Sequence, residues 1–173
     1  RAQIARARHF GLEPTHLDSH MGALFSRPDF FDVYLRVARE EGIVPMVPRL
    51  EDRYREEFRK LGLLPIVEAR FRRLEAEGFP FVDRLVEKTE GRTYEDRKAW
   101  FLEFLRELEP GVTQLILHPA VGGAELAAIT ATHRMRAQEY QLTRDPEIRR
   151  AIVDEGVVLV DWGQINEVWR RGR

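Results

Sequence analysis

The 173-residue sequence contains no cysteine, a single asparagine (Asn166) and only 3 lysines against 25 arginines. Without cysteine there is neither a disulfide nor a thiolate metal site, so any bound metal must take imidazole or carboxylate ligands. The same lack fits a reducing, cytoplasmic setting, which is the expected localisation. Arginine in place of lysine, with labile Asn and Cys depleted, has two ordinary sources, a GC-rich genome and adaptation to heat. No apolar run approaches the ~20 residues that a membrane span needs, and no signal-peptide pattern opens the chain. With a formal net charge of -1 there is no general basic field, so neither nucleic acid nor membrane is an expected partner. Also missing are a phosphate-cradling Gly-rich loop, a P-loop and a nucleophile elbow; Gly122-Gly123 lacks the strand-to-helix frame of such motifs.

What is present is the composition of a globular domain, 43% hydrophobic and 33% charged, and one domain is expected over residues 1–173. The pattern alternates between helix and strand. Arg1 to Phe10 reads as a helix ending at Gly11, and Thr15 to Ser19 as a short strand. Pro28 opens a helix that runs to Gly42, and Ile43 to Val47 forms a second strand before Pro48-Arg49. A charged helix over 51–61 and another from Pro65 to Glu77 precede a strand from Phe81 to Val86. Thr93 to Leu108 is a helix capped by Thr93 and stopped at Pro110-Gly111. Val112 to Leu117 is a strand ending on His118-Pro119, followed by a partly helical loop over 120–132. A short helix from Arg136 to Leu142, a helix from Asp145 to Gly156, a buried strand from Val157 to Val160 and a last helix after Asp161 complete the reading. This order predicts an α/β fold of parallel strands alternating with helices, open or closed as a barrel.

The recurrent event is a strand that stops on a polar group: His16/Asp18/His20, Arg49, Asp83, His118 and Asp161. Parallel strands point the same way, so these groups are expected to converge on one rim, where ligands gather in such folds. In Pro14-Thr15-His16-Leu17-Asp18-Ser19-His20, strand alternation puts His16, Asp18 and His20 on one face. Three such donors suit Zn²⁺ or a similar divalent ion. Two other readings stay open: one imidazole on a metal with Asp18 orienting it, or a hydrogen-bonded structural His16 with His20 capping the loop. His118, fixed at a strand end, is either a proton donor to a leaving group or a ring satisfied by a carbonyl. Arg49 is positioned to hold an anionic or carbonyl oxygen or to form a salt bridge, and Trp162 to stack on a sugar face or to pack. His9 and His133 read as surface residues.

Several blocks in order carry a resemblance: Gln3-Ile4, Gly11, Pro14 through His20, Ala38 and Glu41-Gly42-Ile43. Leu115-Ile116-Leu117-His118-Pro119-Ala120 follows, and then Arg136-Ala137-Gln138-Glu139 with Leu142 and the helix to Gly156. Together they resemble the YdjC-like carbohydrate deacetylases, which include the chitooligosaccharide deacetylases. That resemblance implies a distorted, TIM-type (β/α) barrel, incomplete in this chain, that removes N-acetyl groups from amino sugars. It implies a divalent metal, Mg or Zn, with His20 as ligand, His16 and Asp18 supporting it, and His118 facing the site to protonate the departing amine. It also implies a small carbohydrate as the substrate; a homodimer is the expected assembly. Met21-Gly22-Ala23 stands where the family usually continues with histidines. The family's early Asp-Asp pair has no counterpart here, so the chain reads as the C-terminal portion of a longer enzyme, expected to be inactive alone. The competing readings are another metal-dependent barrel hydrolase (a phosphoesterase or sugar isomerase) and a sugar-binding module with a degenerate site. The deacetylase reading expects the imidazoles of His20 and His118 to enter one pocket from neighbouring strand tips.

Overall fold

Among the described residues every strand is two or three residues long, and every pairing is parallel. The computed structural model describes residues 1–172. In chain order the elements are α1 (Ala2–His9), β1 (His16–Leu17), a 3-10 segment (His20–Phe25), α2 (Pro28–Glu41), β2 (Val44–Pro45), α3 (Asp52–Lys60) and α4 (Leu64–Ala76). They continue with β3 (Arg84–Val86), α5 (Tyr94–Arg106), β4 (Thr113–Leu115), α6 (Ala124–Ile129), α7 (His133–Arg144), α8 (Pro146–Asp154) and α9 (Trp162–Arg171). This is an α/β fold of helices and short parallel strands. No helix among the described residues is long and apolar enough to cross a membrane.

The chain divides into two compact units, residues 1–82 with those from Val160 onward, and residues 83–159. In the first unit β1 pairs with β2, His16 opposite Val44 and Leu17 opposite Pro45. Pro48 then bridges Val82, with Val82 N–H donating to the Val47 carbonyl and Arg49 N–H to that of Val82. Helix α2 starts because Pro28 needs no N–H partner in the first turn, and it ends because Gly42 adopts the left-handed conformation (φ 65°) that frees its cap. Its buried stripe, Phe31, Tyr34, Leu35 and Ala38, has the spacing of one helix face. Phe31, Tyr34 and Leu35 close on Val47, Leu74 and Phe81 to form the unit's core. Each such side chain contributes about 1.5–3 kcal/mol by leaving water.

Helix α9 belongs to this unit and closes the edge of β2. The Val44 N–H donates to Asn166 Oδ1 at 2.8 Å, and Arg170 Nε donates to the Gly42 carbonyl at 2.7 Å. Trp169 packs on Ala38 and Val44. The helix is set by a capping box in which Asp161 and Gln164 exchange backbone hydrogen bonds with their side chains. Asp161, expected as a polar strand end, therefore serves as a helix cap.

The second unit pairs β3 with β4, Leu85 opposite Gln114. Asp83 carries the turn before it: its Oδ2 accepts the Val112 N–H at 2.8 Å. Gly111 is required beside it, since a Cβ there would lie 2.9 Å from that same oxygen. Phe101 and Leu105 of α5 pack on Leu142 of α7 and Ile148 of α8. At the start of α8, Asp145 Oδ1 caps Glu147 N–H while Oδ2 takes a hydrogen bond from the Tyr94 hydroxyl and one from Lys98 Nζ at 2.7 Å.

Three expectations need correction. Val157 to Val160 is not a buried strand: Val158 is 80% exposed, Leu159 73% and Val160 53%. A β-prone sequence becomes a strand only against a partner backbone, and none pairs with it among the described residues. What orders its start is the Val157 N–H donating to the Ile152 carbonyl after Gly156. The helix expected from Arg136 to Leu142 runs instead from His133 to Arg144, since nothing between Thr132 and Asp145 breaks it. All four strands are shorter than expected: β1 keeps two residues of 15–19, β2 two of 43–47, β3 three of 81–86 and β4 three of 112–117. Met46 and Val47 are buried beyond the ladder, and Phe81-Val82 pairs only at the Pro48 bridge.

Two outcomes follow. Replacing Asn166 by Ala leaves the buried Val44 N–H without a partner and should cost about 1–3 kcal/mol in denaturant unfolding; Val168→Ala, on the exposed face of the same helix, should stay within about 0.5 kcal/mol. Lys98 and Tyr94 hold the Asp145 carboxyl down to about 2, against about 3.9 when unfolded. Its contribution is complete above pH ~4 and disappears as pH falls through about 2. Asp145→Asn keeps the cap and should flatten the acid limb of stability between those values, read by thermal melts across pH.

Candidate functional site

The chemistry-bearing block of the first unit starts on β1. Leu17 turns inward and packs against both of that unit's apolar clusters, while its carbonyl accepts hydrogen bonds from Met46 N–H and from the Tyr34 hydroxyl at 2.6 Å. Ser19 is also inward, 4% exposed, and its Oγ accepts the Leu24 N–H at 2.8 Å. With Leu17 and Ser19 anchored, Asp18 is left on the outer side, where its Oδ1 accepts the Ser19 N–H at 2.8 Å. The alternation expected from the sequence thus holds through residue 19. It stops there: His20 opens the 3-10 segment, and Met21 (φ 53°) and Gly22 (φ 68°) turn the chain through left-handed conformations. Met21 holds that conformation at 92% exposure, a local strain of about 1–3 kcal/mol.

His16 is half-buried. Its ring stacks on Trp162 with centroids 4.7 Å apart and planes 11° from parallel, and its Nδ1 lies 3.3 Å from Thr15 Oγ1. Burial lowers its pKa from the ordinary histidine value, opposed by the negative charge of Asp18. Asp18 also helps burial to raise the Tyr34 hydroxyl pKa far above the usual tyrosine range, so Tyr34 stays a neutral donor. Trp162 itself packs against the Ala38–Val44–Trp169 cluster. His16, Asp18 and Trp162 are therefore one local group, supplied by β1 and the first turn of α9. Arg49, past the Pro48 bridge, lies with its guanidinium 5.0 Å from the Phe81 ring and 3.6 Å from Glu75.

His118 stands in the second unit, with its ring on the exposed side and its backbone gripped from below. Its N–H donates to Glu139 Oε2 at 2.7 Å. Glu139 is fully buried, and its other oxygen accepts the Thr89 hydroxyl at 2.8 Å. Arg97, 4% exposed, donates from Nη1 to the Thr89 hydroxyl and carbonyl, from Nη2 to the Gly91 carbonyl at 2.6 Å, and from Nε to Gln138 Oε1 at 3.0 Å. Every polar group of this chain of contacts is matched, which is what a buried charge requires. Sequence reading missed Arg97, Thr89 and Glu139 as supports of His118. The usable signal was Glu139 three residues before the core residue Leu142, on the helix face that is buried.

The block offers imidazole and carboxylate donors of the kind a divalent ion takes. Among the described residues, however, no three His, Asp or Glu side chains gather into a metal-holding set. The donors of the described residues do not by themselves make a complete site.

A family model described as YdjC-like protein matches residues 1–154. The chain belongs to the YdjC-like family. A carbohydrate deacetylase of Thermus thermophilus is 34% identical over 154 residues, covering 89% of this chain and 54% of that protein. A carbohydrate deacetylase of Geobacillus stearothermophilus is 28% identical over 162 residues, covering 93% of this chain and 56% of that protein. The chain thus spans about half the length of the curated relatives it matches. The crystal structure of an Enterococcus faecalis protein named for cellobiose-phosphate cleavage shares the fold over 95% of this chain and 57% of its own, with a TM-score of 0.68 at 18% identity.

Removing the indole that covers His16 gives a direct check on this YdjC-like site. In Trp162→Ala the burial that lowers the His16 pKa is relieved while Asp18 still favours the imidazolium, so its midpoint should move upward. NMR titration of the imidazole in the presence of chelator reads the shift; an unmoved or lowered midpoint contradicts the assignment.

Proposed function

We propose that this chain is part of a carbohydrate deacetylase, a hydrolase that removes the acetyl group from an N-acetylated amino sugar. The observation that carries the reading is the family match over residues 1–154 together with two relatives that bear that name. The local geometry supports it: an aromatic-backed imidazole next to a carboxylate in one unit, and an exposed imidazole on a rigid buried support in the other. We place the chain as the C-terminal portion of a (β/α) barrel whose other strands lie in the length that the relatives have and the match does not cover.

In this reading a divalent ion, Mg or Zn, is the cofactor; His20 is the donor from this chain, supported by His16 and Asp18, and the other donors lie in the uncovered length. Bound there, such an ion would supply Lewis-acid chemistry to the acetamide. The residues of this chain do the rest. His118 holds a proton for the departing amine nitrogen, with the Glu139–Thr89–Arg97 network fixing its backbone. The buried Tyr34 hydroxyl donates to the Leu17 and Met46 carbonyls and so holds β1 in register beneath His16. In this reading Arg49 and Trp162 take part in substrate binding.

Acetate release from N-acetylated chitooligosaccharides tests this. In the full-length polypeptide, His118→Ala and His20→Ala should each lower turnover about 10²-fold or more, and chelator should abolish it. Residues 1–173 alone should give no appreciable turnover, so robust activity there would defeat the partial-barrel reading. Sugar binding that ignores chelator, with no acetate released by the full-length protein, would point instead to a binding module.

A further inference from the structure

Helices α2 and α4 of the first unit enclose a groove of about 480 Å³ whose walls carry four guanidinium groups. On α2, Asp32, Arg36, Arg39 and Glu40 share one face at i, i+4 and i+7/8 spacing; on α4, Arg70 and Arg73 face them. The floor is apolar, made by the buried Leu35 and Leu74. None of these residues belongs to the site proposed above.

The local charge does not balance. Arg70 is matched by a two-pronged contact to Asp32, and Glu40 is taken by Arg1. Arg39 and Arg73 both lean on one carboxylate, Glu77, the latter at 3.0 Å. Arg36 donates no hydrogen bond to a protein group among the described residues; its charge acts through space on Glu40. Counted over its lining, the groove holds four guanidinium groups against two carboxylates, Asp32 and Glu40, an excess of two positive charges in a chain whose net charge is -1. Exposed ion pairs such as those to Glu77 are worth only about 0–1 kcal/mol, so they can rearrange around a better anion. An apolar floor strengthens any charge contact above it by excluding water from one side.

We propose that the α2–α4 groove binds a phosphate-class dianion, held by Arg36 with Arg39 and Arg73. Guanidinium groups suit this chemistry because their paired N–H donors match two oxygens of a phosphate at once. Two charges on the ligand match the excess of the groove, and the volume leaves room for a sugar attached to the phosphate. The ligand class is thus free phosphate or a phosphate monoester.

The test uses the full-length polypeptide at pH ~8 with inorganic phosphate as probe, followed by calorimetry or by phosphorus NMR. Saturable binding that weakens as chloride is added is expected, because screening acts on such contacts. Arg36→Gln should weaken it at least about five-fold, and Arg36→Lys less so, since an ammonium keeps the charge and loses the fork. Because Arg36 hydrogen-bonds no protein group among the described residues and Gln is as good a helix former, the thermal midpoint of Arg36→Gln should match the parent. Glucose 6-phosphate as a second probe separates the sources: tighter binding than inorganic phosphate assigns a phosphomonoester, equal binding assigns phosphate itself. Absence of saturable phosphate binding, or binding that Arg36→Gln leaves unchanged, overturns the proposal.

Discussion

Strands this short cannot satisfy their own backbone, and that constraint organises the whole protein. A two-residue parallel pairing leaves N–H and C=O groups at each end that would be buried without partners, at about 1–3 kcal/mol each. The chain answers with side chains sent from distant elements. Asn166 takes the Val44 N–H across 122 positions, Tyr34 bonds the Leu17 and Met46 carbonyls, Asp83 takes the Val112 N–H, and Glu139 takes that of His118. The first three hold residues in or next to a strand end, and the last holds the chain three residues past β4. The candidate functional groups, His16 and Asp18 in one unit and His118 in the other, stand on or beside those tips. Positioning of the chemistry is thus a by-product of finishing the ladder.

Helix boundaries were legible in the sequence because their signals are local. Pro28 with Gly42, Thr93 with its capping box, and Asp145-Pro146 with Gly156 mark helix ends through φ preference and side-chain capping, which need no knowledge of the fold. Strand extents were not legible. Val157 to Val160 has the composition of a buried strand, yet pairing is a property of two segments, and composition describes only one. One helix start was not legible: α7 begins at His133 with no side-chain cap and no apolar stripe in its first turn.

At the candidate site the sequence revealed residue types and missed their supports. Alternation along β1 was readable, because inward Leu17 and Ser19 force Asp18 outward. The stacking of Trp162 on His16 was not, since 146 positions separate them and nothing in either neighbourhood names the other. Asn166 shows the opposite lesson. A sequence with one asparagine invites a compositional explanation for the missing ones; the structure explains the one that stays, as a β2 edge acceptor that a carboxylate or an apolar residue replaces poorly.

The buried Glu139 can be argued one step further. A carboxylate at 0% exposure normally threatens stability, because its desolvation is returned only when each oxygen has a donor. Here one oxygen faces the His118 N–H and the other the Thr89 hydroxyl, which Arg97 polarises in turn. The positive charge reaches Glu139 through a hydroxyl rather than by direct contact, so the pair is coupled yet each group keeps its own set of backbone partners. A Leu at 139 would fill the volume and leave two donors orphaned; a Gln would keep one acceptor and turn a donor toward the other site. Only a carboxylate accepts on both sides, which is why this position needs a charge that the surrounding core would otherwise exclude.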